Sequence, residues 1–292
     1  MKIYLFILVL NLLFSANDSF SNKIDLKKLS FPKLNLNIIP LNNADSVLSK
    51  RYLEINQIEA IKIKAKNYKS LPVTDNDIVI LETSRGTMKI KFFNKIAPNH
   101  CSNFKKLANS GFYDKTYFHR IIKDFMIQGG DINTRDNNLN NDGQGNPGWL
   151  IDEEFNDIKH KKGILSMARG PSINSAGSQF FICSTDVPWL DGKYTAFGEV
   201  IDNLFIIDLL ENTETERTKV LRSCFSKIAE GENTDDWIRV RDDSKGMLWS
   251  KISAGYSKQE YISYIKGQLN NNTPIASPEI IKIRVVNEND IK

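Results

Sequence analysis

Three short stretches concentrate the side chains that could do chemistry. Phe118 to Asp131 carries His119, Arg120, Phe125, Met126 and Gln128. Gly163 to Cys183 carries Ala168, Gln179 and Phe181, and Trp189 to Gly198 carries Trp189, Leu190 and Tyr194. Large apolar side chains usually signal core. Here they interleave with Arg120, Gln128 and Gln179, which reads as a lined groove with a few convergent polar groups. His119 is the obvious proton carrier, and the adjacent Arg120 supplies a permanent cation. Cys101, Cys183 and Cys224 cannot all pair and show no CxxC spacing, which disfavours a disulfide scaffold and a zinc ribbon. A bridge between Cys101 and Cys224 stays open. The oxygen-rich run Asp131 to Gly148 has no Glu at its twelfth position and reads as a polar loop, not an EF-hand.

Short elements must position these groups. Ile78 to Leu81 and Met88 to Phe92 flank Ser84-Arg85-Gly86, a hairpin signal. Pro98 opens a helix to about Ser110, with Phe104, Leu107 and Ala108 inward and Gly111 as its stop. Strand-like runs follow at Tyr117 to Ile122, Phe125 to Gln128, Gly163 to Met167, Gln179 to Cys183 and Ala196 to Val200, and Asp202 to Leu210 reads as a second helix. Asn212 to Ala276 looks helical: Leu221, Phe225 and Ile228 suit one face, and Ser257 with Glu260 forms a capping box. Pro278 to Val286 returns to strand.

The runs Phe118 to Asp131, Gly163 to Phe181 and Trp189 to Gly198 resemble, in order, the motifs of the cyclophilins, the cyclosporin-binding peptidyl-prolyl cis/trans isomerases. The resemblance covers Asp77 to Asn212 plus the last strand. It implies a mainly β fold: a closed eight-stranded antiparallel barrel capped by two helices, here with a helical insertion, and a substrate groove on the outer face. It also implies catalytic Arg120, Phe125 and Gln128, with His119, Met126, Ala168, Gln179, Phe181, Trp189, Leu190 and Tyr194 along the substrate. Trp189 matches the tryptophan associated with tight cyclosporin binding, so cyclosporin is an expected inhibitor. Arg169 stands where many members have Asn, and Tyr194 where many have His. Proline-containing polypeptides are the expected partners.

The chemistry agrees. An X–Pro amide rotates over a barrier of about 18–20 kcal/mol, and uncatalysed exchange takes roughly tens to hundreds of seconds. No covalent bond breaks, so no nucleophile, metal or cofactor is required. A guanidinium held near the prolyl nitrogen favours the twisted amide, whose nitrogen regains a lone pair, over the planar one.

The ends of the chain carry a second message. Lys2 precedes an apolar run from Ile3 to Phe14, and Ser19-Phe20-Ser21 offers a small-x-small site. Residues 1–21 are therefore expected to be a signal peptide, too short in their apolar part for a span of roughly 20 residues. Export to an extracytoplasmic compartment follows, with membrane attachment only if the segment stays uncleaved. Residues 22–76 read as a basic leader or linker, 77–287 as the isomerase domain with its insertion at about 212–276, and 288–292 as a tail. Asn271-Asn272-Thr273 is a glycosylation sequon. Over 292 residues the net charge is +4, with 41% hydrophobic and 25% charged side chains. Such balance argues against a nucleic-acid binder and a polytopic membrane protein. The rival reading is a non-catalytic module that binds proline-containing segments, or partners through the insertion, without turnover.

Overall fold

The computed structural model describes residues 52–290. The expected signal peptide, and the expected leader up to residue 51, lie outside the described residues. Residues 52–76 include α1 (Ile55–Asn67), whose Ile58 and Ala65 are buried. Its residues Ile58 and Ala65 join the core that also holds Phe104 and Leu107.

The hairpin forms as β1 (Asp77–Thr83) and β2 (Gly86–Phe92). α2 (Pro98–Ser110) starts on Pro98 and ends at Gly111, whose φ of 82° is the left-handed conformation glycine adopts without strain. Then come β3 (Thr116–Tyr117), β4 (Arg120–Ile122), β5 (Met126–Gly129), β6 (Ile164–Met167), β7 (Phe180–Cys183) and β8 (Ala196–Asp202). α3 (Phe205–Glu211) follows, and the chain returns to the sheet as β12 (Glu279–Asn287).

These strands form one nine-stranded antiparallel sheet, in the order β3-β12-β1-β2-β8-β6-β7-β5-β4. The sheet curls into a half-barrel. The expected closed eight-stranded barrel does not form: the edge members β3 and β4 make no ladder with each other. They are consecutive stretches of one chain, broken at Phe118 and His119. The Phe118 N–H bonds across to Pro278 and the His119 N–H to Gln128, so the chain steps from one edge to the other without completing the ring.

Side chains alternate across strands, and this separates two apolar layers. Ile127, Leu165, Phe180, Ile182 and Phe197 point into the concave core, where α2 contributes Phe104 and Leu107, and α3 contributes Ile206, Ile207 and Leu210. α2 lies against β12 and β8, and α3 against β2, β4 and β5. Met126, Phe181 and Cys183 point outward, under Val187 and Leu190. Strands β6 and β7 are therefore buried on both faces.

The segment expected to be helical is mixed. It holds α4 (Glu216–Arg222) and α5 (Lys258–Leu269), the latter starting on the expected Ser257–Glu260 capping box. Between them lie β9 (Cys224–Phe225), β10 (Trp237–Asp242) and β11 (Gly246–Lys251), a three-stranded antiparallel sheet in the order β10-β11-β9. Phe225 is thus a strand residue, not part of a helical face with Leu221. Val220, Ile238, Val240, Leu248, Tyr261, Ile265 and Leu269 make a separate small core. No helix among the described residues is long and apolar enough to cross a membrane. All three cysteines are free: Cys101 and Cys183 are buried and Cys224 is half-buried, so the open question of a Cys101–Cys224 bridge is answered against it.

Candidate active site

Strand register assembles the groove. Arg120 pairs with Gln128 across β4–β5, Gln128 with Phe181 across β5–β7, and Phe181 with Ser166 across β7–β6. Directly paired residues share a face. One row on the convex side therefore reads Arg120, Gln128, Phe181, Ser166. The neighbouring row reads Ile122, Met126, Cys183.

A polar relay fixes the first row. Arg120 Nη1 donates to Gln128 Oε1 at 3.3 Å and lies 4.0 Å from Met126 Sδ. Gln128 Nε2 donates to Gln179 Oε1 at 2.9 Å. Gln179 Nε2 donates in turn to the carbonyls of Gly143 and Gly145, both at 2.9 Å. That loop is held by the buried Asp131, whose carboxylate accepts the N–H groups of Asn133, Gly143 and Gly145. Asp131, Gly143 and Gly145 were not read from the sequence as part of the site; the density of Asn, Asp and Gly in this run marks turns but not what they orient. Partial burial lowers the Arg120 pKa, opposed by Tyr194. The side chain is exposed on its outer side and remains a cation.

The apolar side of the groove has a floor and a wall. Phe181 and Met126 are buried, and Leu190 is buried in the 3-10 turn Pro188–Leu190. Phe125 is half-exposed at the β4–β5 turn, with its ring 5.9 Å from that of Trp189. The turn is set by Asp124, at φ 56°, whose N–H donates to Glu211 in α3. Trp189 is 56% exposed and projects at the rim. His160, missed in the sequence, anchors the wall: its Nε2 meets Ser166 Oγ at 3.0 Å and its N–H donates to Asp191 at 2.8 Å. Its ring also stacks beside Phe181.

Ala168 follows β6 with its N–H on the Gln179 carbonyl. Tyr194 stands edge-on to Phe181, ring centroids 5.8 Å apart. Arg169 covers its other side: the guanidinium lies 4.7 Å from the Tyr194 ring centre and donates to the Lys193 carbonyl. The two departures from the family pattern thus contact each other. His119 is buried under the groove, and neither ring nitrogen meets a hydrogen-bond partner. Burial lowers its pKa, against the pull of Asp131.

The arrangement is a cation, fixed by an amide relay, at the edge of an aromatic-walled hollow. It offers no group of three or more metal-binding side chains among the described residues. Residues 78–230, just over half of the chain, match the family model for cyclophilin type peptidyl-prolyl cis-trans isomerases. This chain belongs to the cyclophilin family. The cyclophilin is 47% identical over 124 residues to a peptidyl-prolyl cis-trans isomerase of Synechococcus elongatus, covering 42% of this chain and 80% of that one. It is 41% identical over 148 residues to the isomerase cypE of Dictyostelium discoideum, covering 48% and 88%. Among solved structures it is similar to a Cryptosporidium parvum cyclophilin determined in the presence of the dipeptide Ala-Pro. That likeness has a TM-score of 0.48 and 27% identity, over 72% of this chain and 98% of the other. As a cyclophilin-type isomerase, the enzyme acts on proline-containing peptides.

Proposed function

We propose that this cyclophilin speeds prolyl isomerisation during the folding of exported proteins, with Arg120 as the group that stabilises the twisted amide. The observation that carries the catalytic assignment is the single row Arg120, Gln128, Phe181. Proline sits against Phe181, Met126, Leu190 and Phe125, which hold the ring while the preceding carbonyl swings. Arg120 then donates toward the prolyl nitrogen as it becomes pyramidal. Arginine suits this because it stays charged and presents rigid donors. Gln128 restrains the guanidinium and contacts the substrate backbone, and Ala168 and Gln179 flank the peptide. His119 supports the floor, and Tyr194 lines the far side. The extracytoplasmic location rests on Lys2, the apolar run Ile3 to Phe14 and Ser19-Phe20-Ser21.

The test is a protease-coupled isomerisation assay on a proline-containing peptide. Arg120→Ala should slow turnover by about 10²-fold, the scale of one lost transition-state donor. Its circular dichroism and thermal midpoint should not change, because the side chain is exposed. Equal rates for the two proteins overturn the assignment. The same assay titrated with cyclosporin examines the role of Trp189: inhibition should weaken in Trp189→Ala. N-terminal sequencing of the protein recovered from its cells decides release against tethering; a start after Ser21 supports export with cleavage.

A further inference from the structure

The three-stranded sheet presents a surface that the isomerase groove does not use. Ile238, Val240 and Leu248 face the small core. The intervening positions lie on the other face: Arg239, Arg241, Met247 and Lys251 are exposed, Trp249 is half-buried, and Trp237 is buried beside Lys251 and Phe225. Cross-strand pairs place Arg239 beside Trp249 and Lys251 beside Trp237. The Arg239 guanidinium lies 5.8 Å from the Trp249 ring centre, and Lys251 Nζ lies 5.7 Å from that of Trp237. Phe225, 51% exposed, extends the row edge-on to Trp237. Lys251 is matched by Glu232 at 2.7 Å. Among the described residues, Arg239 and Arg241 have no acidic partner.

The edge of this sheet is open as well. The Ile252 N–H donates to the Asp236 carbonyl. In an antiparallel ladder with this register, residues 236, 238, 240 and 242 then bond toward β11, and the alternate residues point their main-chain groups outward. The outward Trp237 N–H is taken by Thr234. The N–H and C=O of Arg239 and Arg241 have no main-chain or side-chain partner among the described residues. A free strand edge with this pattern is a template for another extended chain.

We infer that the β10 edge docks an extended acidic polypeptide segment, which adds as a fourth strand with its carboxylates on Arg239 and Arg241. Charge selects this occupant. A second copy of the same edge, paired antiparallel about Val240, would set Arg239 against Arg241. The chain's own residues 22–70, with ten Lys or Arg and four Asp or Glu, carry the wrong sign. A nucleic acid could stack on Trp249 and meet the arginines, but it cannot satisfy alternating N–H and C=O groups along a strand. The surface would give the enzyme a second hold on a polypeptide, away from the proline pocket.

The test measures fluorescence anisotropy of a short peptide of alternating Glu and Val, free of proline, against the full chain. Because the probe contains no X–Pro bond, its binding does not depend on the isomerase reading. Saturable, salt-sensitive binding is expected, at least tenfold weaker for the same peptide with Lys in place of Glu. The double variant Arg239→Glu/Arg241→Glu should lose binding by tenfold or more. Its isomerisation rate on a short peptide and its thermal midpoint should match the parent, which shows that the fold is intact. Two N-methylated peptides, blocked at the glutamates or at the valines, should differ: one loses binding and the other retains it. Absence of binding, equal binding of the Lys peptide, an unchanged double variant, or indifference to both N-methylations overturns the proposal. Displacement of the Glu peptide by oligouridylate at lower concentration than by unlabelled Glu peptide overturns it in favour of a nucleic-acid surface.

Discussion

Arg120, Gln128 and Gln179 show how a flexible cation becomes a positioned one. Each amide spends its oxygen on the group before it and its nitrogen on the group after it, ending on the carbonyls of Gly143 and Gly145. The orientation of both amides is thereby determined by the network. The cysteines show the opposite, side chains withdrawn from chemistry. Burial pushes the Cys101 and Cys183 thiols up to about 12, and also raises Cys224. Thiolate is the reactive form. In native protein at neutral pH, maleimide should label Cys224 slowly and leave Cys101 and Cys183 untouched; in denaturant all three should label. Mass spectrometry of the intact protein and its peptides reads the difference.

At the scale of elements, the decisive feature is the alternation along β5 and β7, which sends Phe180 and Ile182 to the concave core and Phe181 and Cys183 to the groove. A one-residue slip would exchange the two sets. The β10–β11 hairpin obeys the same rule, with α5 as its cover. Ile265, 1% exposed, is the centre of that contact. Ile265→Ala should destabilise the small unit by about 2–4 kcal/mol. If that unit unfolds separately from the half-barrel, urea melts should show an earlier phase in tryptophan fluorescence while short-peptide isomerase activity persists through it.

For the whole molecule, the three histidines give a common pH response. His100, His119 and His160 all have pKa values lowered from the ordinary value, with burial the largest cause in each. The pull of Glu154 on His100, and of Asp191 on His160, is smaller. Their folded forms resist a proton that the unfolded chain accepts near pH ~6.5. The unfolded state therefore binds more protons below that pH, and stability is complete above it and falls as pH falls through and below it. The urea midpoint should be lower at pH 5.5 than at pH 7.5, with each histidine contributing no more than about 1.4 kcal/mol. Replacing His160 with Gln should reduce the difference.

The sequence by itself determined the hairpin, the Pro98 helix with its Gly111 stop, the Ser257 cap and the three motif runs, because turn chemistry, caps and periodicity are local. Asn212 to Ala276 was misread as helical although β10 and β11 form a local hairpin: Ile238 and Val240 alternate with Trp237, Arg239 and Arg241, a period-2 signal that the helical reading of the flanking segments overrode. The open ring depended on tertiary structure. Whether Thr116 to Ile122 closes a barrel depends on where its two halves find partners, β12 and β5, which are distant in sequence from each other. The roles of His160 and Asp131 were also invisible. Asp131 closes its own loop onto Gly143 and Gly145, and His160 joins Ser166, six residues on, to the more distant Asp191; which of the many polar groups nearby meet is settled by packing, not by residue type.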